Sequence, residues 1–191
     1  MNLLPEQVNT VFEIAKQAIE LGLNGQVLDE NAMALLANSQ LNEKLATFVT
    51  LNKNVELRGC IGSLQAHRTL AEDVFSNAYS AAFRDPRFKP LAEYELTDLD
   101  VEVSILTPPV PIEKCLTKST LLDGLEPYRD GLIISDGVNR ATFLPSVWEQ
   151  LPDKEMFVNH LMRKAGIGFW SEKISCERYY VKSYSREWIN I

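Results

Sequence analysis

Two extended runs separated by three turn residues set the first constraint on this chain. Residues 45–51, LATFVTL, read as a strand, and Asn52, Lys53 and Asn54 turn the chain back into a second run at 55–64, VELRGCIGSL. A connection that short joins strands only in antiparallel fashion, because a parallel crossover needs a dozen or more residues. In the second run Val55, Leu57, Gly59 and Ile61 alternate with Glu56, Arg58, Cys60 and Gly62, and a pleated strand sends alternate side chains to opposite faces. This reading buries Val55, Leu57 and Ile61 and leaves Arg58 and Cys60 together on the other face. At ~3.3 Å per residue they stand roughly 6.6 Å apart, a guanidinium beside a thiol.

A cation next to a cysteine favours the thiolate, which is the nucleophilic form, so the spacing nominates Cys60 as a reactive sulfur and Arg58 as its activator. Gly59 and Gly62 frame the pair, and glycine inside a strand marks a bulge or the close approach of a ligand or another backbone. Each of these residues also has a plainer reading. Most free cysteines are small buried hydrophobes. Arg58 can form a surface ion pair with Glu56 or Glu102, which is worth little.

The rest of the chain alternates hairpins and helices. Pro5 opens a helix with Val8, Val11, Phe12, Ala15 and Ile19 on one face, and Gly22 suits its end. A shorter helical stretch is read near Asn31 to Leu36. Thr69 and Glu72 have the spacing of a capping box, ahead of a helix burying Leu70, Val74, Ala78, Ala81 and Ala82. Asp85 precedes Pro86, where the α conformation is disfavoured, so the helix ends there. Residues 99–107 alternate as a strand with one wet face, and Pro108, Pro109 and Pro111 stop it. GLIIS and RATFL flank Asp136 and Gly137 as a second hairpin. Pro145 starts a short helix, Asp153 caps another that ends near Gly166, and residues 174–183 read as one last strand. No strand-helix-strand rhythm repeats, so the class is α+β with antiparallel sheet hairpins and interspersed helices.

His67 follows Cys60 by seven residues, in a loop. It reads as an exposed loop histidine, or as the base of a Cys/His pair if the loop folds back. Arg84, Asp85 and Arg87 cluster just past a helix end, where a loop can carry charged groups to a site. The plainer reading there is a turn in which Asp85 accepts backbone N–H bonds and Phe88 plugs the core. Thr142, opposite in direction to Phe143, is either a cleft residue or an ordinary cross-strand threonine. Cys115 and Cys176 have no arginine-and-glycine surroundings like those of Cys60, Cys176 falls on a strand, and both read as structural. Two histidines, with no acidic cluster at ligand spacing, argue against a metal site, and no cofactor is called for.

Charge narrows the partners. A net charge of −7 and a pI near 4.9 disfavour nucleic acid, since phosphate contacts need a basic surface. Three cysteines without a CxxC pair argue for reduced thiols and a cytoplasmic location. The N-terminus carries Glu6 and Glu13 where a signal peptide would be basic, and no apolar run is long enough to span a membrane.

The stretch LRGCIG, with SAAFRDPRFKPL at 80–91, VEVSIL at 101–106, DGLII at 130–134, ATFLPSVW at 141–148 and LMRKAG at 161–166, resembles the AMMECR domain family, whose prokaryotic members are called AmmeMemoRadiSam system protein A. Lys89 stands where a second proline is usual in that family, and Ala92 where threonine or serine is usual. The resemblance implies a single domain over 1–191, with a larger lobe formed by both chain ends, a smaller inserted lobe and a cleft between them. It implies no settled reaction.

Two functional readings follow. In the first, Cys60 is a thiolate nucleophile or covalent acceptor, with Arg58 and His67 as catalytic partners. Gly59, Gly62, Asp85, Arg87 and Thr142 then line a site for a small anionic or carbonyl-bearing molecule. In the second, the chain is a non-catalytic adaptor. The system name implies partners for it: a Memo-type protein and a radical S-adenosylmethionine enzyme.

Overall fold

The computed structural model describes residues 3–29, 36, 41–113, 115 and 117–191. The chain divides into two units, Met1–Leu106 with Lys182–Ile191, and Thr107–Val181. The helical expectation near Asn31 to Leu36 lies outside the described residues, Leu36 excepted.

Among the described residues, the first unit is a four-stranded sheet with two α-helices packed against it. Its strand order is β2-β1-β3-β8, with β1 at Ala46–Lys53, β2 at Glu56–Gly62, β3 at Leu99–Leu106 and β8 at Val181–Glu187. Strand β1 pairs antiparallel with both β2 and β3, setting Thr50 opposite Cys60 on one side and Glu102 on the other. Val49, Leu51, Val101, Val103 and Ile105 face a core shared with the helices. Full burial of each such side chain contributes ~1.5–3 kcal/mol.

Helix α1 (Pro5–Leu23) buries the stripe Val11, Phe12, Ile14, Ala15, Ala18 and Ile19. Helix α2 (Leu70–Phe83) starts on the expected capping box. The Glu72 amide donates to Thr69 Oγ1 at 3.3 Å and the Thr69 amide to Glu72 Oε2 at 2.9 Å. Asp73, fully buried on α2, holds three elements together. Its carboxylate accepts from the Thr47 amide and hydroxyl of β1, from Ser63 just past β2, from Arg68 and from Asn77. A buried carboxylate with this many donors is satisfied, so it ties helix to sheet without leaving an unpaired charge.

The first hairpin differs from the alternation read in the sequence. Asn54 and Val55 form the turn, with φ of 51° and 69°. Positive φ at both central residues is what a type I′ hairpin turn requires. Val55 is therefore 94% exposed and Leu57 42% exposed, where both were expected inside. The register also shifts: Leu51 opposes Gly59 while Asn52 opposes Leu57, leaving Arg58 as the extra residue of a β-bulge. Counting in twos across a turn and a bulge put the wrong residues on the buried face.

The second unit is a sheet of order β4-β7-β5-β6, formed by Val110–Pro111, Ser175–Tyr179, Gly131–Ser135 and Arg140–Phe143 respectively. The β5–β6 hairpin closes where expected. Asp136 Oδ1 accepts the Val138 and Asn139 amides, and Gly137 takes φ 93°. Helix α3 spans Lys118–Gly124. Helix α4 (Lys154–Ala165) is capped by Asp153, which accepts the Met156 amide at 2.8 Å, and closes on Gly166 at φ 77°. Its Phe157 stacks on Trp148 with ring centroids 3.6 Å apart, and the Trp148 indole donates to the Asp130 carbonyl at 2.7 Å.

One expected strand proves to be two. Within residues 174–183 pairing breaks at Tyr180, so Ser175–Tyr179 joins the second sheet and Val181 onward joins the first. Among the described residues no helix is long and apolar enough to cross a membrane.

Candidate functional site

Cys60 lies on β2, at the edge of the first sheet. Its amide and carbonyl point away from β1, as they do at a non-hydrogen-bonded antiparallel position, where facing side chains stand closest. Two consequences follow. Across the ladder, Thr50 Oγ1 donates to Cys60 Sγ at 3.2 Å. On the open side, the loop after α2 takes up the free backbone groups: the Cys60 amide donates to Asp85 Oδ2 at 2.9 Å, and Arg87 Nη2 donates to the Cys60 carbonyl at 3.3 Å.

Asp85 organises this loop. Its side chain is almost fully buried and accepts the Arg87 amide at 3.1 Å, Arg87 Nε at 2.9 Å and Arg87 Nη2 at 2.7 Å. The Arg87 guanidinium, seconded by the Cys60 and Arg87 amides, holds the Asp85 carboxyl far below the ordinary carboxylate range against the opposing effect of burial. Asp85 therefore stays ionised and is no general base. Arg87 keeps 53% of its side chain exposed, and its cationic form is strengthened first by its hydrogen bonds to Asp85.

The arginine expected to serve the thiol is engaged elsewhere. Arg58 forms a bidentate pair with Glu95, Nε to Oε1 at 2.8 Å and Nη2 to Oε2 at 2.9 Å, and Nη2 also donates to the Lys89 carbonyl at 3.0 Å. Its partner is thus Glu95, in the 3₁₀ turn Glu93–Asp98, rather than Glu56 or Glu102. The pair lowers the Glu95 carboxyl to about 2. Phe88 sits beneath both guanidiniums, 5.8 Å from Arg58 and 5.5 Å from Arg87. It is half-buried, and the residue that plugs the core in this loop is Leu91, whose amide donates to the Ala82 carbonyl.

The two framing glycines meet protein atoms. A Cβ on Gly59 would stand 2.2 Å from the Ala81 carbonyl oxygen of α2, and one on Gly62 would stand 2.3 Å from the Phe48 ring. Both allow close packing of helix or side chain on β2. His67 is exposed, with Nδ1 on the Gln65 carbonyl at 2.9 Å, and the hydrogen bond at the Cys60 sulfur comes from Thr50. Thr142 belongs to the second unit, where its hydroxyl bonds the Leu132 carbonyl at 3.0 Å and the Tyr179 hydroxyl at 2.9 Å. Burial pushes that tyrosine up to about 12.

The structure therefore brings together Cys60, Asp85 and Arg87 and adds Thr50 and Glu95. A threonine opposite the cysteine in the hairpin was open to sequence reasoning, but the bulge hid the register. Among the described residues no group of three or more His, Cys, Asp and Glu is arranged to hold a metal. The second unit has its own cavity of about 710 Å³ with Val110, Pro111, Ile112, Thr120, Arg178 and Tyr180 on its walls. Arg178 is engaged there by Asp130 at 2.9 Å and by the Gly124 carbonyl.

Comparison with known proteins agrees with this architecture. The AMMECR1 family model matches residues 12–184. A protein of Methanothermobacter thermautotrophicus is 36% identical over 169 residues, covering 85% of this chain and 83% of its own. Protein MK0488 of Methanopyrus kandleri is 34% identical over 181 residues, covering 91% and 84%. The crystal structure of uncharacterized protein PH0010 from Pyrococcus horikoshii superposes with a TM-score of 0.75 at 30% identity, over 97% of this chain and 94% of that one. With a family match over most of its length and relatives of this similarity, the chain belongs to the AMMECR1 family.

Proposed function

We propose that β2 carries a thiol-centred site for a small molecule, in which Cys60 acts as nucleophile or covalent acceptor and Arg87 receives an anionic group of the ligand. The observation that supports this most is the partly buried Cys60, whose sulfur accepts a hydrogen bond from Thr50 while a half-exposed guanidinium is held at the carbonyl of the same residue. A hydroxyl donor and a nearby cation both favour negative charge on sulfur in the transition state of its attack. Asp85 is a positioning residue: it aims Arg87 and fixes the strand, and takes no proton. The Arg58–Glu95 pair holds the bulge in shape.

Limited alkylation of the folded protein with iodoacetamide, mapped by peptide mass spectrometry, tests this reading. Cys60 is expected to react first, and millimolar phosphate or acetate to slow it. Equal inertness of all three cysteines would overturn it.

A second reading is favoured by a different observation. Strand β2 is a sheet edge, and the exposed apolar residues Val55 and Leu57 lie at its start. An adaptor that docks a Memo-type protein or a radical S-adenosylmethionine enzyme would use this tip. Co-purification that survives Cys60→Ala and is lost with Leu57→Asp would favour docking over chemistry.

A further inference from the structure

We propose that the ligand of the Cys60 site is a small zwitterion, an amino acid whose ammonium and carboxylate are separated by a short chain, with Arg87 receiving the carboxylate and Glu102 the ammonium. This rests on the Cys60–Arg87 site proposed above and names the class of ligand it takes. Strand register sets the arrangement. Thr50 stands opposite Cys60 in the β1–β2 ladder and opposite Glu102 in the β1–β3 ladder, so one row crosses three strands as Cys60, Thr50, Glu102. Val49, Leu51, Val101 and Val103 turn into the core shared with the helices, which leaves Thr50 and Glu102 on the other face. The hydrogen bond from Thr50 Oγ1 puts the Cys60 sulfur on that face too.

Glu102 is the charged member of this row. It is partly buried, and its Oε1 accepts from Ser104 Oγ at 3.1 Å. Ser104 is bonded in turn to Ser183 Oγ of β8 at 2.7 Å, so two hydroxyls fix the carboxylate from one side. Among the described residues no cation pairs with Glu102. Arg58, the arginine that the sequence offered it, is bound to Glu95. A carboxylate drawn partly out of water gives up hydration that a single hydroxyl does not replace. An ammonium arriving beside it makes up the difference.

Opposite charges thus lie on either side of the sulfur. Arg87 Nη2 is held at the Cys60 carbonyl on the open edge of β2, and Glu102 lies two strands inward, its backbone roughly 10 Å from that of Cys60 at ordinary strand spacing. A ligand that spans them passes over Thr50 and the Cys60 sulfur. Phe48, two residues before Thr50 and on the same face, stands opposite Gly62 and Ser104 and is partly buried, an apolar wall for the connecting chain. An anion without an ammonium would engage Arg87 alone and leave Glu102 uncompensated. Charge complementarity at both ends therefore selects the zwitterion.

Isothermal titration calorimetry of the whole protein with 6-aminohexanoate and with hexanoate separates the two ends, because the probes differ only in the terminal ammonium. Wild type is expected to bind 6-aminohexanoate about tenfold more tightly than hexanoate, the size of one hydrogen-bonded charge pair. Glu102→Gln keeps the side-chain shape and an acceptor for Ser104, and is expected to bind both probes equally, with hexanoate no weaker than in wild type. Arg87→Gln weakens both. Equal affinity of the two probes in wild type, no heat from either, or a preference that survives Glu102→Gln would each overturn the proposal, the first two without reference to how a variant folds. Alkylation of Cys60 by iodoacetamide is followed on the same samples. An inert sulfur beside an intact preference removes the thiol chemistry and leaves the zwitterion site, whereas a reactive sulfur without the preference removes the zwitterion alone.

Discussion

Asp85 accepts the backbone N–H of Cys60 at 2.9 Å, so a loop carboxylate stands where the next strand of the sheet would stand. An edge strand presents unpaired backbone groups that invite pairing with other chains. Here Asp85 and Arg87 occupy one such pair of groups, while Thr50 of β1 donates to the Cys60 sulfur. Replacing Asp85 with Asn removes the charge that orders Arg87 and weakens the bond to the Cys60 amide. The expected loss is about 1.5–3 kcal/mol, the range for hydrogen bonds to a charged group, read as a lower urea midpoint at unchanged m-value.

Glu95 makes the stability of the first unit pH-dependent. Its folded carboxyl is lowered to about 2, chiefly by Arg58, so its contribution is fully present above the ordinary glutamate range near 4.5. That contribution is lost as pH falls through the folded value. Glu95→Gln is therefore expected to be less stable than wild type at pH 7, with the gap closing as pH drops toward 2. Parallel urea titrations across that range check the convergence.

Val55 is a branched residue in a left-handed turn, with nothing buried to lose. Val55→Gly relieves a conformation that costs an L-residue ~1–2 kcal/mol, offset in part by the greater freedom of unfolded glycine. A net gain of about 0.5–1 kcal/mol is expected in chemical denaturation.

Gly59→Ala has the opposite sign. The new methyl would meet a backbone carbonyl of α2 at 2.2 Å, and backbone cannot swing aside as a flexible side chain can. Overpacking of this kind costs about 1–3 kcal/mol, visible as a lower Tm and as reduced amide protection in β2.

What could be read from the sequence was mostly local. The Thr69–Glu72 box, the Asp136–Gly137 turn and the Asp153 cap each lie within a few residues of what they bond, so spacing alone exposes them. Of the candidate site residues, Cys60, Asp85 and Arg87 are joined by hydrogen bonds. Their wiring was not legible. Arg58 reaches Glu95 across 37 positions and Cys60 reaches Asp85 across 25, and neither pairing leaves a periodic trace. The bulge at Arg58 goes with a side chain that bonds Glu95 instead of standing beside the thiol.

The central claim is that Cys60 is a reactive thiol with an anion-receiving arginine beside it. Comparing its rates of modification by anionic iodoacetate and neutral iodoacetamide in the folded protein tests both halves at once. Relative to a free cysteine, the account predicts a rate ratio shifted toward iodoacetate by about tenfold, equivalent to ~1.4 kcal/mol, retained in Arg87→Lys and abolished in Arg87→Gln. A ratio equal to that of free cysteine in all three proteins, or no modification of Cys60 at all, would contradict it.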